Sequence, residues 1–288
     1  MERLSVIVCT YNRSRSLQET LASLLAQQAD GFASDVIVVD NNSSDDTRQA
    51  VEAWLPRFGE RLRYVFEGRQ GLSHARNTGV AAARGQWLAF TDDDVQPEPD
   101  WLCQLDAARR QFDADCVYGK VVPRWLAPPP AWLGPAFLRP LAMVDRGEQP
   151  FVVRSASDQF VGANMAFRRE VLERIGGFNV ALGNRGGALG GEEDTDLFER
   201  LLASGARIVY APHAVVHHAV PEDRMRPGYF RRWYFAHGAT AARLPAYRSR
   251  RGLLGLPWWV VRRFLEETGR WVASLGTGSP ERRLSQQM

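Results

Sequence analysis

Three adjacent carboxylates, Asp92-Asp93-Asp94, directly follow the apolar run Trp87-Leu-Ala-Phe-Thr91. Neighbouring carboxylates oppose one another's ionisation unless a cation or solvent relieves them. At the exit of a buried strand, a hard divalent ion held by oxygen ligands supplies that relief. Such an ion can hold a diphosphate, so the triplet points to transfer chemistry on an activated phosphate ester. Two carboxylates leave room for a further ligand, and His217-His218 offers one. Adjacent residues on a strand face opposite ways, so one of the two histidines can enter the site.

Other polar clusters are weaker alone. In Thr10-Tyr11-Asn12-Arg13, Tyr11 could stack on a base and Arg13 reach a phosphate; taken alone, a polar loop with a helix cap explains them better. This turn lacks Gly-x-Gly-x-x-Gly, which argues against a dinucleotide-dependent dehydrogenase. Asp40, before Asn41-Asn42-Ser43-Ser44-Asp45, could accept from a base or a ribose, or form an Asx turn. Gly71-Leu-Ser-His-Ala-Arg76-Asn77-Thr-Gly79 opens a helix, where Arg76 and the free N–H groups suit an anion. Glu192-Glu193-Asp194-Thr195-Asp196 also opens a helix. Its acids serve the helix dipole, or present a general base.

The surrounding pattern must position these groups. Apolar runs at 4–9, 36–39, 62–66 and 87–91 read as strands. They alternate with helical spacing over 16–28, after Ser43 or Ser44, over 72–83 and over 100–112. That alternation predicts an α/β fold with a parallel sheet, whose ligands bind beyond the carboxyl ends of the strands. Thr10–Arg13, Asp40–Asp45 and Asp92–Asp94 all fall at such ends. Later, Pro128-Pro-Pro130 reads as a rigid connector, 160–167 and 207–211 as strands, 169–175 and 193–203 as helices, and the glycine-rich 183–191 as a mobile loop. Two basic, aromatic helices are expected beyond Pro227.

The chain has 288 residues, 45% hydrophobic and 24% charged, which allows one large α/β domain or two small ones. Net charge is +3, yet residues 224–288 carry 13 arginines against three glutamates and no aspartate. A basic segment of this kind favours an anionic partner. Cys9, Cys103 and Cys116 match no zinc spacing and read as reduced thiols of a cytosolic protein. A strand pattern by Leu4 leaves no room for a signal peptide, and no apolar run approaches the ~20 residues of a membrane span.

Taken together, the motifs resemble the family 2 glycosyltransferases. They are Val6-Ile-Val-Cys-Thr-Tyr-Asn-Arg13, Val36-Ile-Val-Val-Asp-Asn-Asn-Ser-Ser-Asp45, Gly71 to Gly79, Thr91-Asp-Asp-Asp94, Gly162-Ala-Asn-Met-Ala-Phe-Arg168, Ile175-Gly-Gly-Phe178, Glu193-Asp-Thr-Asp196 and Ala211 to His218. The resemblance spans roughly Leu4 to Gly238 and rests on their order and spacing. It implies a GT-A (nucleotide-diphospho-sugar transferase) fold: a mostly parallel central sheet flanked by helices. A catalytic domain would occupy 1–223, its nucleotide-binding half 1–120 and its acceptor-side half 121–223. A basic helical extension would occupy 224–288.

It also implies roles. Thr10, Tyr11, Asn12, Arg13, Asp40, Asn42, Arg76, Asn77, Asp92 and Asp93 would contact the donor, a nucleotide-diphosphate sugar. Asp94 and Asp92, with His218 preferred to His217, would hold Mn²⁺ or Mg²⁺. Asp194, paired with Glu193, would be the catalytic base of an inverting transfer. Gly162, Ala163 and Asn164 would shape the side that receives a glycan or lipid-linked acceptor. The implied setting is surface polysaccharide or glycolipid assembly by a cytoplasmic enzyme.

Two other readings are weighed against this one. A nucleotidyltransferase of similar fold expects a glycine-rich phosphate loop after the first strand, which Thr10–Arg13 lacks. A non-catalytic nucleotide-sugar-binding protein expects a broken triplet or a missing base, and both motifs are intact. For the C-terminal segment, Trp258, Val261, Leu265, Thr268 and Val272 share one helical stripe. That stripe fits a helix packed on the protein, or an interfacial helix on the inner face of a membrane. No nucleic-acid-binding motif accompanies the arginines.

Overall fold

The computed structural model describes residues 3–28 and 33–241, with 252–253, 256–258, 261–262 and 265–266. The first half alternates as expected: β1 (Arg3–Thr10), α1 (Ser14–Leu25), β2 (Ala33–Asp40), α2 (Thr47–Glu52), α3 (Leu55–Phe58), β3 (Leu62–Phe66), α4 (Leu72–Ala82) and β4 (Trp87–Asp92). There follow β5 (Val95–Pro97), α5 (Trp101–Phe112), β6 (Cys116–Trp125), β7 (Phe151–Val152), β8 (Met165–Arg168), α6 (Arg169–Arg174), α7 (Glu193–Ala203), β9 (Ile208–Val220) and α8 (Pro227–Ala241).

The strands form one sheet in the order β3-β2-β1-β4-β8-β6-β9-β5, with β7 on β9. The β3, β2, β1 and β4 strands are parallel. Beyond β4 the pairing turns antiparallel, at β4–β8, β6–β8, β5–β9 and β7–β9. The connection from β6 to β8 carries no α-helix, and without a helical crossover the usual route to a parallel pair is missing.

Several boundaries differ from the sequence pattern for physical reasons. The β2 strand begins at Ala33 because Asp35, though polar, is satisfied within the sheet. Its carboxylate accepts from Ser5 Oγ and Arg63 Nη2, both at 2.7 Å. The α2 helix starts at Thr47 rather than behind Ser43 or Ser44. Asp45 accepts its Thr47 N–H at 3.0 Å and also the Ser14 N–H at 3.2 Å, joining two loops. Residues 162–164 form a turn ahead of β8, and the two strands expected at 207–211 and around His217 are one, β9.

The core is the apolar sheet under its helices. Val6, Ile7, Val8, Ile37, Val38 and Val39 of the strands and Leu17 and Leu21 of α1 belong to one buried cluster. Each such side chain contributes about 1.5–3 kcal/mol by leaving water. The α4 helix lies so close to β1 that a Cβ at Gly79 would come 2.5 Å from the Ile7 side chain.

The residues pack as two units. One comprises Met1–Arg124, Ala142–Ala188 and Glu193–Ala219; the other comprises Trp125–Leu141, Leu189–Glu192 and Val220–Met288. Within the second unit, the rings of Trp132, Phe137 and Phe230 meet edge to face at 5.3–5.8 Å, tying 125–141 to α8. Gly252–Leu253 and Leu256–Pro257 pair antiparallel. Of the C-terminal stripe, Trp258 and Leu265 are exposed, and Thr268 and Val272 lie outside the described residues. Among the described residues, no helix is long and apolar enough to cross a membrane.

Candidate active site

Strand register builds the site's floor. Thr10 is level with Asp40, and Cys9 with Asp92, so three strand ends deliver their polar residues side by side. The Asp40 carboxylate is buried there, accepting the Ser43 N–H at 2.9 Å and the Tyr64 hydroxyl at 2.7 Å. Burial pushes the Cys9 thiol up to about 12, so it stays protonated.

The triplet bridges β4 and β5, and β5 pairs with β9 so that Val95 lies opposite His218. Asp94 O accepts the Ala219 N–H at 2.9 Å. This register places His218 Nε2 3.4 Å from Asp94 Oδ1. Ligand atoms of Asp92, Asp94 and His218 all lie within 4.8 Å of one another. Burial raises the Asp93 pKa to about 6; Arg13 opposes the shift, and Asp94 and Asp92 add to it. Asp92 is also raised, first by withdrawal from water and then by Asp94, against Arg76 and His218. His217 points the other way, its Nε2 2.5 Å from Glu98 Oε1. The geometry thus separates the two histidines, and His217 is not part of the acidic cluster.

The opposite wall is the start of α7. Glu193 is buried and accepts from Arg76 Nη1 at 2.9 Å. Arg76 Nη2 lies 3.7 Å from Asp92 Oδ1, and its guanidinium sits over the Phe178 ring at 5.2 Å. Burial works against the Arg76 charge, but Glu193 and Asp92 outweigh it and its pKa rises. One buried guanidinium therefore links the helix start to the triplet. Gly162 makes this possible, since a Cβ there would collide with the Arg76 guanidinium. Asp194 is half-buried in the first turn of α7, and one of its oxygens accepts the Thr195 N–H at 2.9 Å.

Several residues expected to meet ligands are engaged by the protein itself. Asn12, with φ of 52°, accepts the Ser44 N–H at 2.7 Å and ties the β1 loop to the β2 loop. Asn77 grips the Phe178 backbone through both ends of its amide, at 2.8 and 2.9 Å. Asn164 is buried, accepting from Trp101 Nε1 at 2.9 Å and donating to Lys120 O and Ala214 O at 2.9 and 2.7 Å. Ala163 beside it is buried too. Asn42 is exposed at φ 64°, and Tyr11 is half-buried. The glycine-rich segment is bonded to the start of α4: Asn184 O accepts the Leu72 N–H at 2.9 Å, and Leu182 O accepts from Ser73 Oγ at 3.0 Å.

Sequence reading missed Asn41 and Glu67. Asn41 is buried, donates to Glu67 O and Arg69 O, and accepts the Gly71 N–H at 2.8 Å. Glu67 binds Arg69 at 2.8 Å and Thr78 at 2.5 Å. Together they hold the loop that leads into α4. Neither stood out among ordinary loop residues.

A mixed sheet with an acidic triplet at its carboxyl edge and an acidic helix start beside it is the architecture of a GT-A glycosyltransferase. The chain belongs to glycosyl transferase family 2, whose family model matches residues 5–176. A second model, described as the N-terminal domain of galactosyltransferase, matches residues 143–221. The chain is 32% identical over 249 residues to the succinoglycan biosynthesis protein ExoM of Rhizobium meliloti, covering 85% of this chain and 76% of that protein. It is 31% identical over 228 residues to the glucosyl-dolichyl phosphate glucuronosyltransferase of Haloferax volcanii, covering 77% and 71%. Among solved structures it is similar to the mannosyltransferase PcManGT of Pyrobaculum calidifontis, in complex with GDP-Man and Mn²⁺. There the TM-score is 0.62 and the identity 25%, over 97% of this chain and 77% of that one. The fold is also that of S. aureus TarS 1-349 in complex with UDP, at TM-score 0.58 and 22% identity, over 82% of this chain and 65% of that one.

Proposed function

We propose that this glycosyltransferase is metal-dependent and inverting. It would move a sugar from a nucleotide-diphosphate donor to the hydroxyl of a glycan or lipid-linked acceptor, in surface polysaccharide or glycolipid assembly. The observation that carries the reading is the convergence of Asp92, Asp94 and His218 within 4.8 Å, with the Asp194 helix linked to Asp92 through Arg76 and Glu193. Two carboxylates and an imidazole suit Mn²⁺, or Mg²⁺ with more water in its shell. Nδ1 of the buried His218 has no hydrogen-bond partner among the described residues.

Asp92, Asp94 and His218 would hold the ion, which neutralises charge on the departing diphosphate. Asp40 and Thr10 would line the nucleoside side. Asp194 would accept the acceptor hydroxyl's proton as that oxygen attacks the anomeric carbon. A positioned base gives ~10²–10⁴-fold, and alignment and electrostatics supply the rest. The relatives named for succinoglycan and for a dolichyl phosphate sugar support an acceptor of these classes. Contact between the C-terminal segment and an anionic membrane face belongs to the same proposal. The test is a screen of nucleotide sugars with Mn²⁺, read by nucleoside diphosphate release and product stereochemistry. Release from at least one donor, stopped by chelator and giving an inverted linkage, is expected. No release from any donor, or full activity in chelator, overturns the reading.

A further inference from the structure

Arg13 closes the loop after β1, and its Nη1 lies 3.0 Å from Asp93 Oδ1 and 2.7 Å from Asp94 Oδ2. Asp94 thus meets a guanidinium on one oxygen and His218 on the other. The two carboxylates are buried, whereas the Arg13 side chain is 42% exposed, so it can swing without opening the core. The backbone before it is fixed, because Asn12 is bonded to Ser43 and Ser44. A permanent positive charge in contact with Asp94 opposes a divalent ion at Asp92, Asp94 and His218. A diphosphate attracts both charges.

We infer that Arg13 is a charge switch that makes metal binding conditional on the donor's diphosphate. In one state the guanidinium rests on Asp93 and Asp94. In the other it turns to the diphosphate and leaves Asp94 to the metal. This rests on the metal-dependent reading above. Both ligands favour the second state, so each must tighten the other, by linkage. The arrangement keeps the acidic pocket from filling with a metal ion before a donor is present.

The test is Mn²⁺ binding to the full chain, followed by the EPR signal of free Mn²⁺, alone and with UDP or GDP. In the wild type, one of these nucleotides should raise Mn²⁺ affinity roughly 5–150-fold. Arg13→Gln should bind Mn²⁺ alone roughly tenfold more tightly, as expected for a unit charge removed from beside the ion. The same variant should show weaker coupling to the nucleotide. Arg13→Lys keeps the charge and should keep most of the coupling; it carries the test if the Gln variant does not fold. If Arg13→Gln binds Mn²⁺ alone no more tightly than the wild type, the switch is wrong while the metal site stands. Loss of coupling in Arg13→Lys also overturns it. If the wild type binds no Mn²⁺ with either nucleotide, the metal reading fails and the switch with it.

Discussion

The two walls of the site are built differently. On the donor side, Thr10, Asp40 and Asp92 sit at register-matched ends of parallel strands, so backbone ladders fix their places. On the other side, Glu193 and Asp194 begin a helix after a glycine-rich segment, and a single buried guanidinium, Arg76, joins them to the triplet. The strand ends can hold charge in place whatever the helix does. The alignment of the proposed base is tied to the Arg76 guanidinium and to the space left for it at Gly162. Damage to the first wall should therefore appear in binding, and damage to the second in turnover.

The largest separation is expected at Asp194. Asp194→Asn should cut kcat by ~10²–10⁴ and leave nucleotide affinity nearly unchanged. Titration of the variant with UDP and GDP beside steady-state rates would show it, and near-normal turnover would reduce Asp194 to a helix-start acid. Next comes the link itself. Arg76→Met leaves Glu193 buried without its cation, and breaking a buried pair costs about 3–5 kcal/mol. Denaturant unfolding should read that loss, whereas a contact made only to the donor would leave stability unchanged. A smaller effect is expected at Asn164, which separates scaffold from acceptor pocket. Asn164→Leu should lower stability by about 1–3 kcal/mol through the orphaned Trp101 N–H and two carbonyls. Below its melting range the acceptor KM should be unaltered, and a raised KM would restore the acceptor role.

The smallest effect concerns acid stability on the donor side. The Glu67 pKa falls to about 2, chiefly through its hydrogen bonds with Arg69 and against some burial. A pKa depressed on folding adds stability that is present above the ordinary value of 4.5 and lost as pH falls towards 2. Glu67→Gln should therefore be less stable than the wild type at pH 7, with the gap closing between about pH 4.5 and 2. A gap that is constant with pH would show that the carboxylate charge plays no part.

The parallel half of the fold was legible because its strands are continuous apolar runs and its helices carry regular apolar spacing. The triplet and the histidine pair stood out because three adjacent carboxylates at a strand exit oppose one another's ionisation, whereas the helix-start acids stood out only in company with the other motifs, since acids are ordinary in a first helical turn. The structural work of the asparagines was not legible. Asn12, Asn77 and Asn164 are polar residues inside the motifs, yet their amides satisfy backbone groups that no sequence pattern displays. Arg13 and Arg76 stood out as anion-binding candidates, but the carboxylates that long-range packing sets beside them were not legible. In the antiparallel half, β8 and the start of β9 were expected as strands, but β6, the two-residue β7 and the antiparallel pairing were not, because the connection between β6 and β8 is irregular.

The adjacent histidines give the most direct test of the central claim, because register alone separates them. Mn²⁺ binding with UDP or GDP present should be lost or strongly weakened in His218→Ala and retained in His217→Ala. Equal retention in both variants would contradict a metal held by Asp92, Asp94 and His218.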